Sequence, residues 1–467
     1  MTKKIKLIPK VKPLIGDTIT PVTAYLAIRS ENSFLLESVV GGEQVARFSV
    51  IGLDPFCIFK SHHGEHIVTR EGKSEIVQGN PISILEELVY SYDVEEKEQF
   101  SFFMGGAVGF FSWEAISCIE NIRFSNRDTL EVPFIHYLFP RTFIVFDHAQ
   151  RLCHLITLAE KHQEKEAAQR LKDVEKKLQS IRQATWIEQC DFSDKDLFKN
   201  IHSNYQKDAF FSDVDRVKKH IIEGEVFQLV LSQRFSIESG KDPFDVYRHL
   251  RVLNPSPYMF YFEFEGYSMV GSSPEILSRV ENKSVLVRPI AGTRPRIKGQ
   301  EQVLMDELFK DEKEKAEHIM LVDLGRNDLG RVCEYHSIQV KDLMTIEMYS
   351  HVMHMVTQVE GQLKEGKTAF DVFKATFPAG TLSGAPKIRA IQLIEEIESD
   401  KRGPYGGALG YFDFSGNMDL CIIIRTIIAS KGQLTVQAGA GIVLDSDPLS
   451  EFEETKNKAK GMIEACL

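Results

Sequence analysis

The spacing of apolar positions changes along the chain, and each change predicts a different kind of element. Up to about residue 155, short apolar stretches (SFLLESVV, ARFSVIG, GGAVGFFS, TFIVF) are punctuated by Gly, Pro and Asp, the pattern of strands broken by turns. Between residues 160 and 183 the text becomes EKHQEKEAAQRLKDVEKKLQSIRQ, with Leu171, Val174, Leu178 and Ile181 three or four apart. That spacing predicts a solvated helix with one narrow apolar stripe. It marks residues 156–199 as a helical connector between a β-rich region (1–155) and a larger region (200–467). There, Phe210, Val214, Val217 and Ile221 keep a helical period until Gly224, a residue type suited to closing a helix. VFQLVLSQRF then reads as a strand with Val226, Gln228, Val230 and Ser232 on one face. Further helices are predicted over 311–324, 385–398 and 448–466, the last opened by Asp447-Pro448 as cap and first-turn residue. GGALGYFDFSGNMDLCIIIRTIIAS adds hairpin-like strands. Without a repeating βαβ unit or a Gly-rich crossover turn, the mixture predicts an α+β fold.

Composition narrows the function classes. With 467 residues, 43% of them hydrophobic, the chain can bury a large core. Its 67 acidic against 56 basic residues give a net charge of −11, and no basic patch interrupts this, so nucleic acid is not an expected partner. No apolar run approaches the roughly 20 residues of a membrane-spanning helix. The basic opening MTKKIKLIPKVKP lacks the continuous apolar segment of a secretory signal. Seven scattered cysteines (57, 118, 153, 190, 333, 421 and 466) form no C-x-x-C pair, the usage of reduced thiols in a cytoplasmic protein.

Candidate chemistry gathers in the larger region. Glu314 and Glu317 lie three apart on one predicted helix, and Glu451 and Glu454 do so on another. Each pair alone also reads as an exposed helix face, but two pairs facing each other would form a cage of hard oxygen ligands suited to Mg²⁺. The apolar IMLVDL that follows Glu317 and His318 carries the first helix into the core. GAGIV (439–443) and the Thr381/Ser383 turn of TLSGAPKIRAIQL are either structural turns or backbone sites for an anionic oxygen. Arg425 issues from the apolar strand CIIIR, where a guanidinium calls for a carboxylate or phosphate, in the protein or in a ligand. His354, three residues after His351 in HVMHMV, reads locally as a core histidine. Glu275 in SSPEIL is either a surface turn residue or a buried general acid. The residues alone point to a Mg²⁺ enzyme acting on a small, carboxylate-bearing anion.

Five long motifs occur in order: PIAGTRPR, HIMLVDLGRNDLGRV, TLSGAPKIRA, GPYGGALGYF and QAGAGIVLDSDPLSEFEET. As a set they closely resemble the chorismate-utilising enzymes, and within them the component I branch of the anthranilate synthases, from about Tyr205 to Ile463, with LLES (35–38) a weaker N-terminal match. The resemblance implies a large two-subdomain body of stacked antiparallel sheets flanked by helices. It also implies conversion of chorismate and ammonia to anthranilate and pyruvate in tryptophan biosynthesis. Carried over by motif, Glu317 and Glu454 would be the principal Mg²⁺ ligands, completed by Glu314 and Glu451. Tyr405, Arg425 and the Gly439, Ala440 and Gly441 amides would hold the enolpyruvyl carboxylate, with Gly292 and Thr293 lining the ring site. Glu275 would be the general acid at the C4 hydroxyl, while His354 and Thr381 would assist the loss of pyruvate. Ser38 with Pro257, Tyr258 and Met259 would form a tryptophan pocket for feedback inhibition.

Two positions bear on the branch. Water-using relatives carry a lysine base where this chain has Gln228, and many aminodeoxychorismate synthases carry a nucleophilic lysine where it has Ala291. Aminodeoxychorismate synthase, serving folate synthesis, stays the alternative, with a non-catalytic tryptophan sensor beyond it. No glutaminase nucleophile turn is found, so the expected protein partner is a glutamine amidotransferase subunit, component II.

Overall fold

The computed structural model describes residues 4–38, 47–100, 102–180, 187, 197–199, 201–348 and 352–467. Most of its strands join a single antiparallel ladder that folds back on itself into two layers. One layer runs through Gln228–Glu238, Gln433–Ile442, Thr426–Ser430, Tyr267–Ser273, Tyr258–Phe264, Ser33–Glu37 and Phe48–His62. From Phe48–His62 the ladder continues through Ile135–Asp147, Gly106–Phe111, Ala408–Asp413, Met418–Ile422, Ile276–Glu281, Ser284–Val287 and Val352–Gln362. The long strand Phe48–His62 can serve both layers because its register slips between Pro55 and Cys57, and such a bulge bends a strand. With helices packed against these strands, the architecture is α+β. The region 1–155 does not close on itself: Ser33–Glu37 pairs with Tyr258–Phe264, and Gly106–Phe111 with Ala408–Asp413.

An aromatic-rich layer fills the space between the sheets. Phe34, Phe260, Phe262 and Phe264 from one side meet Val108, Phe110, Leu409 and Cys421 from the other, all buried. Their rings sit 5.4 Å (Phe34–Phe262) and 5.7 Å (Phe110–Phe264) apart, and each fully buried side chain contributes about 1.5–3 kcal/mol.

The elements predicted from periodicity are present with shifted ends. The connector helix is Glu164–Gln179, burying Leu171, Val174 and Leu178; Ile181 lies outside the described residues. The next helix, Lys207–Ile222, buries Phe210, Val214 and Val217, and Gly224 follows it at φ +79°. The helix expected over 311–324 runs on to Val332, through Gly325 and Gly330. Helices Pro21–Ile28 and Pro81–Tyr90 interrupt the β-rich region. Among the described residues no helix is long and apolar enough to cross a membrane, and six cysteines are free thiols. Cys190 lies outside the described residues.

Two strand crossings between the layers run side by side and position the site. The chain passes from Tyr267–Ser273 to Ile276–Glu281, and from Met418–Ile422 to Thr426–Ser430. The crossings are tied by Ile422 N–H donating to the Glu275 carbonyl (2.9 Å) and Ser272 N–H to the Arg425 carbonyl (3.1 Å). Arg425 takes φ +49° there, a left-handed conformation uncommon for a residue with a side chain.

Candidate active site

The expected metal ligands occupy the first two turns of two helices. Glu312–Val332 is capped by Asp311, which accepts from the amides of Lys313 and Glu314 at 3.1 and 3.2 Å. Pro448–Cys466 is capped by Asp447, which accepts from Ser450 at 2.9 Å. Burial raises the Glu314 carboxyl, Arg294 (3.2 Å) opposes the rise, and the neighbouring Glu317 adds to it. Glu451 is likewise raised by burial and by Glu454, and lowered by Ser446 and by Lys313 of the other helix.

Each pair is met by polar groups of the protein. Gln228 Nε2 donates to Glu317 Oε1 at 3.3 Å, Arg294 binds Glu314, and Lys458 binds Glu454 at 2.8 Å. The four carboxylates do not form a closed cage. Among the described residues, the one group of three or more His, Cys, Asp or Glu side chains with ligand atoms within 4.8 Å of one another is His220, Glu223 and Glu225. Carboxylate oxygens at the openings of two helices are nonetheless the donor chemistry of a hard divalent cation that shares its sphere with substrate.

The Gly439, Ala440 and Gly441 amides expected to hold an anion lie along the strand Gln433–Ile442. Its pairing with Thr426–Ser430 ends at Val436, so beyond that point one edge has no strand partner among the described residues. The Gly439 carbonyl accepts from Lys458 Nζ at 3.0 Å, and Val230, in register with Gly441, sends its N–H to Ser383 instead. By strand alternation, the Gly439 and Gly441 amides therefore face the open edge and Ala440 faces Leu231. Both glycines make room for a neighbour: a Cβ on Gly439 would lie 2.8 Å from Tyr405 Oη, and one on Gly441 2.7 Å from Gln228 Nε2, which would have to move. Arg425 donates to Asn254 Oδ1 at 2.9 Å. No carboxylate pairs with it among the described residues, and desolvation lowers its pKa.

The residues expected to handle protons are Glu275, His354 and Thr381. Thr381, on the 3₁₀ turn Gly380–Leu382, donates to Glu275 Oε1 at 2.9 Å. Burial pushes the Glu275 carboxyl up to about 7, with Thr381 and then Lys458 pulling the other way. His354 is 7% exposed, and burial, aided by the charge of Arg425, lowers its pKa to about 4. Its Nδ1 faces the Gly292 carbonyl at 3.4 Å; a carbonyl only accepts, so Nδ1 carries the proton and Nε2 the lone pair. Gly292, at φ +71°, backs directly on Glu314: a Cβ there would lie 3.3 Å from its carboxylate. Thr293 is in register with His354; its side chain, like His351, lies outside what is described.

Sequence reasoning did not place Asn254, Arg294, Lys458 or Ser446 in the site. Lys458 had a signal, being four residues after Glu454 on the same helix face. Asn254 lies just before Pro257, Tyr258 and Met259, and Arg294 lies inside PIAGTRPR, with nothing local to give them roles.

A second space opens away from these residues. Ser38, Pro257, Tyr258 and Met259 all line one cavity of about 840 Å³. The Ser38 hydroxyl is buried there without a hydrogen-bond partner among the described residues. Tyr258 Oη donates to Asp419 at 2.9 Å, and Arg279 Nε donates to the same carboxylate at 2.9 Å.

Residues 31–464 match the chorismate binding enzyme family. The chain is 44% identical to anthranilate synthase component 1 of Acetivibrio thermocellus over 475 residues, covering all of this chain and 96% of that one. It is equally close to the Neisseria meningitidis serogroup B protein of the same name, covering 98% and 94%. The crystal structure of anthranilate synthase component I from Streptococcus pneumoniae superposes with a TM-score of 0.81 at 37% identity, over 96% of this chain and 98% of that one. The menaquinone-specific isochorismate synthase of Escherichia coli, at 18% identity and TM-score 0.76, covering all of this chain and 96% of that one, shares the fold. The chain belongs to the chorismate-binding enzymes, and within them to the anthranilate synthase component I branch.

Proposed function

We propose that the chain converts chorismate and ammonia to anthranilate, pyruvate and water, as the first committed step toward tryptophan. The observation that carries this reading is Arg425: a desolvated guanidinium with no carboxylate partner among the described residues, at the crossing that also holds Glu275. Arg425, Tyr405 and the Gly439 and Gly441 amides would grip the enolpyruvyl carboxylate. The ring carboxylate would lie toward Glu314, Glu317, Glu451 and Glu454, where Mg²⁺ would neutralise it and make the diene more electrophilic. Glu275 holds the proton that leaves with the C4 hydroxyl as water while ammonia forms its bond at C2. His354, neutral at physiological pH, has a lone pair for the C2 proton as the enolpyruvyl C–O bond breaks and the ring becomes aromatic. Amination needs no base to deprotonate the nucleophile, which fits Gln228 in place of lysine, and Ala291 excludes a covalent intermediate at that position.

Ammonia would come from a glutamine amidotransferase subunit. Tryptophan would occupy the 840 Å³ cavity, where the Ser38 hydroxyl lacks a partner among the described residues. The cavity wall reaches the site by a short route. Tyr258 is in register with Ser273, whose hydroxyl accepts from Glu275 N–H at 3.3 Å and donates to the Ile422 carbonyl at 2.7 Å. The reaction itself is tested with the purified chain, chorismate, ammonium and MgCl₂, following anthranilate fluorescence and pyruvate together. Equal amounts of both are expected. Neither product with chorismate bound overturns the reading, and an aminated product that retains its pyruvyl group moves the chain to the folate branch.

A further inference from the structure

Beneath the cleft lies an ion pair that the proposed chemistry leaves unused. Glu398 caps the end of the helix Lys387–Ile397, and Arg402 follows four residues later; their side chains are 5% and 1% exposed. Arg402 Nε and Nη2 donate to the two Glu398 oxygens at 2.8 and 2.7 Å. Its remaining reach is spent on backbone: Nη1 donates to the Leu382 carbonyl and Nη2 to the Val230 carbonyl, both at 2.7 Å. The guanidinium lies 4.4 Å from the ring centre of Trp113 and 5.6 Å from that of Tyr405. Glu398 Oε1 also accepts from the Ser232 amide and hydroxyl at 2.9 and 2.8 Å.

The anchored groups belong to three separate segments of the site. Leu382 adjoins Thr381 on its short turn. Val230 and Ser232 are in register with Gly441 and Gly439. Tyr405 sits on a turn whose Gly406 backs onto Trp113. Desolvating two charges is costly, and apolar replacements for such pairs are often as stable or more so. Stability alone therefore gives no account of the pair, whereas the fixed planar fork of arginine can hold several acceptors in one geometry.

We propose that the Glu398–Arg402 pair is a positioning device that fixes the Thr381 turn, the Gly439–Gly441 edge and Tyr405 relative to one another. It rests on the reaction proposed above. Arg402→Lys keeps the charge and loses the fork; Glu398→Gln keeps the shape and loses the charge. In Arg402→Lys the KM for chorismate should rise tenfold or more, and the high-pH limb of activity should shift upward as Thr381 loosens from Glu275. The loss in kcat/KM should shrink several-fold when Arg402→Lys is added to Thr381→Ala or Tyr405→Phe. Amide hydrogen exchange should speed up about tenfold at 380–383, 403–407 and 439–441 and stay unchanged elsewhere. That measurement needs no turnover, so it decides the proposal even if the wild-type chain forms no anthranilate. Unchanged KM and pH profile with activity tracking the folded fraction, additive double mutants, or uniformly faster exchange would each overturn it. If Arg402→Lys does not fold, Glu398→Gln decides on the same readouts.

Discussion

At the residue scale, the balance at Glu275 is between burial, which favours the neutral acid, and the Thr381 hydroxyl, which favours the carboxylate. A general acid must be protonated, so activity should fall as pH rises through about 7. Thr381→Val removes the donor to the carboxylate and should move that falling limb to higher pH; a pH–rate profile of kcat/KM checks it. The same shift has a stability consequence of fixed sign. A carboxyl raised from its ordinary value of 4.5 to about 7 holds its proton longer in the folded state, so stability is lost as pH rises through that window. Glu275→Gln should therefore be more stable than wild type at pH 8, by on the order of 2 kcal/mol, with the gain vanishing near pH 4, as thermal melts at both pH values would reveal.

At the element scale, the edge Gly439–Gly441 works because two backbone positions have no side chain. Gly441→Ala would put a methyl group 2.7 Å from Gln228 Nε2, the same atom that donates to Glu317. Turnover should drop at least tenfold while the fold is retained, measured as kcat/KM beside a circular dichroism spectrum. Helices were legible in the sequence where an amphipathic period ran long: Phe210, Val214 and Val217 are buried as the spacing requires. The helix bearing Glu317 outran its expected end because burial of Leu329 and Val332 outweighs the low helix propensity of Gly325 and Gly330. Pro21–Ile28 and Pro81–Tyr90 were not legible, being too short for a period to emerge; each is set by a cap, Thr20 and Asn80. The motif residues of the site were legible as types. Their mutual geometry was not, since the groups that hold them, Asn254 for Arg425 and Arg294 for Glu314, come from distant or unpatterned positions.

At the scale of the whole molecule, the decisive pairings join strands more than two hundred residues apart, Ser33–Glu37 with Tyr258–Phe264 and Gly106–Phe111 with Ala408–Asp413. Local periodicity carries no trace of such partners, which is why the N-terminal region reads as a separate β-rich unit. The same continuity gives the cavity at Ser38 and Tyr258 a mechanical link to Glu275, through Ser273. Tryptophan at a hundred times its Kd should raise the Tm by an amount matching about 2.7 kcal/mol. Ser38→Ala should weaken that shift, and linkage requires chorismate to weaken tryptophan binding by the factor with which tryptophan weakens chorismate binding. Calorimetry with each ligand in the presence of the other measures both factors.

Carboxylates from two helices far apart in sequence, Glu314 and Glu317 with Glu451 and Glu454, would share one divalent ion opposite Arg425. Titrating Mg²⁺ against anthranilate formation in wild type and Glu454→Gln tests it most directly. Wild type should saturate with one ion per chain, and Glu454→Gln should lose Mg²⁺-dependent turnover while melting cooperatively like the parent. A Glu454→Gln chain with an unchanged Mg²⁺ saturation curve and unchanged turnover would contradict the account.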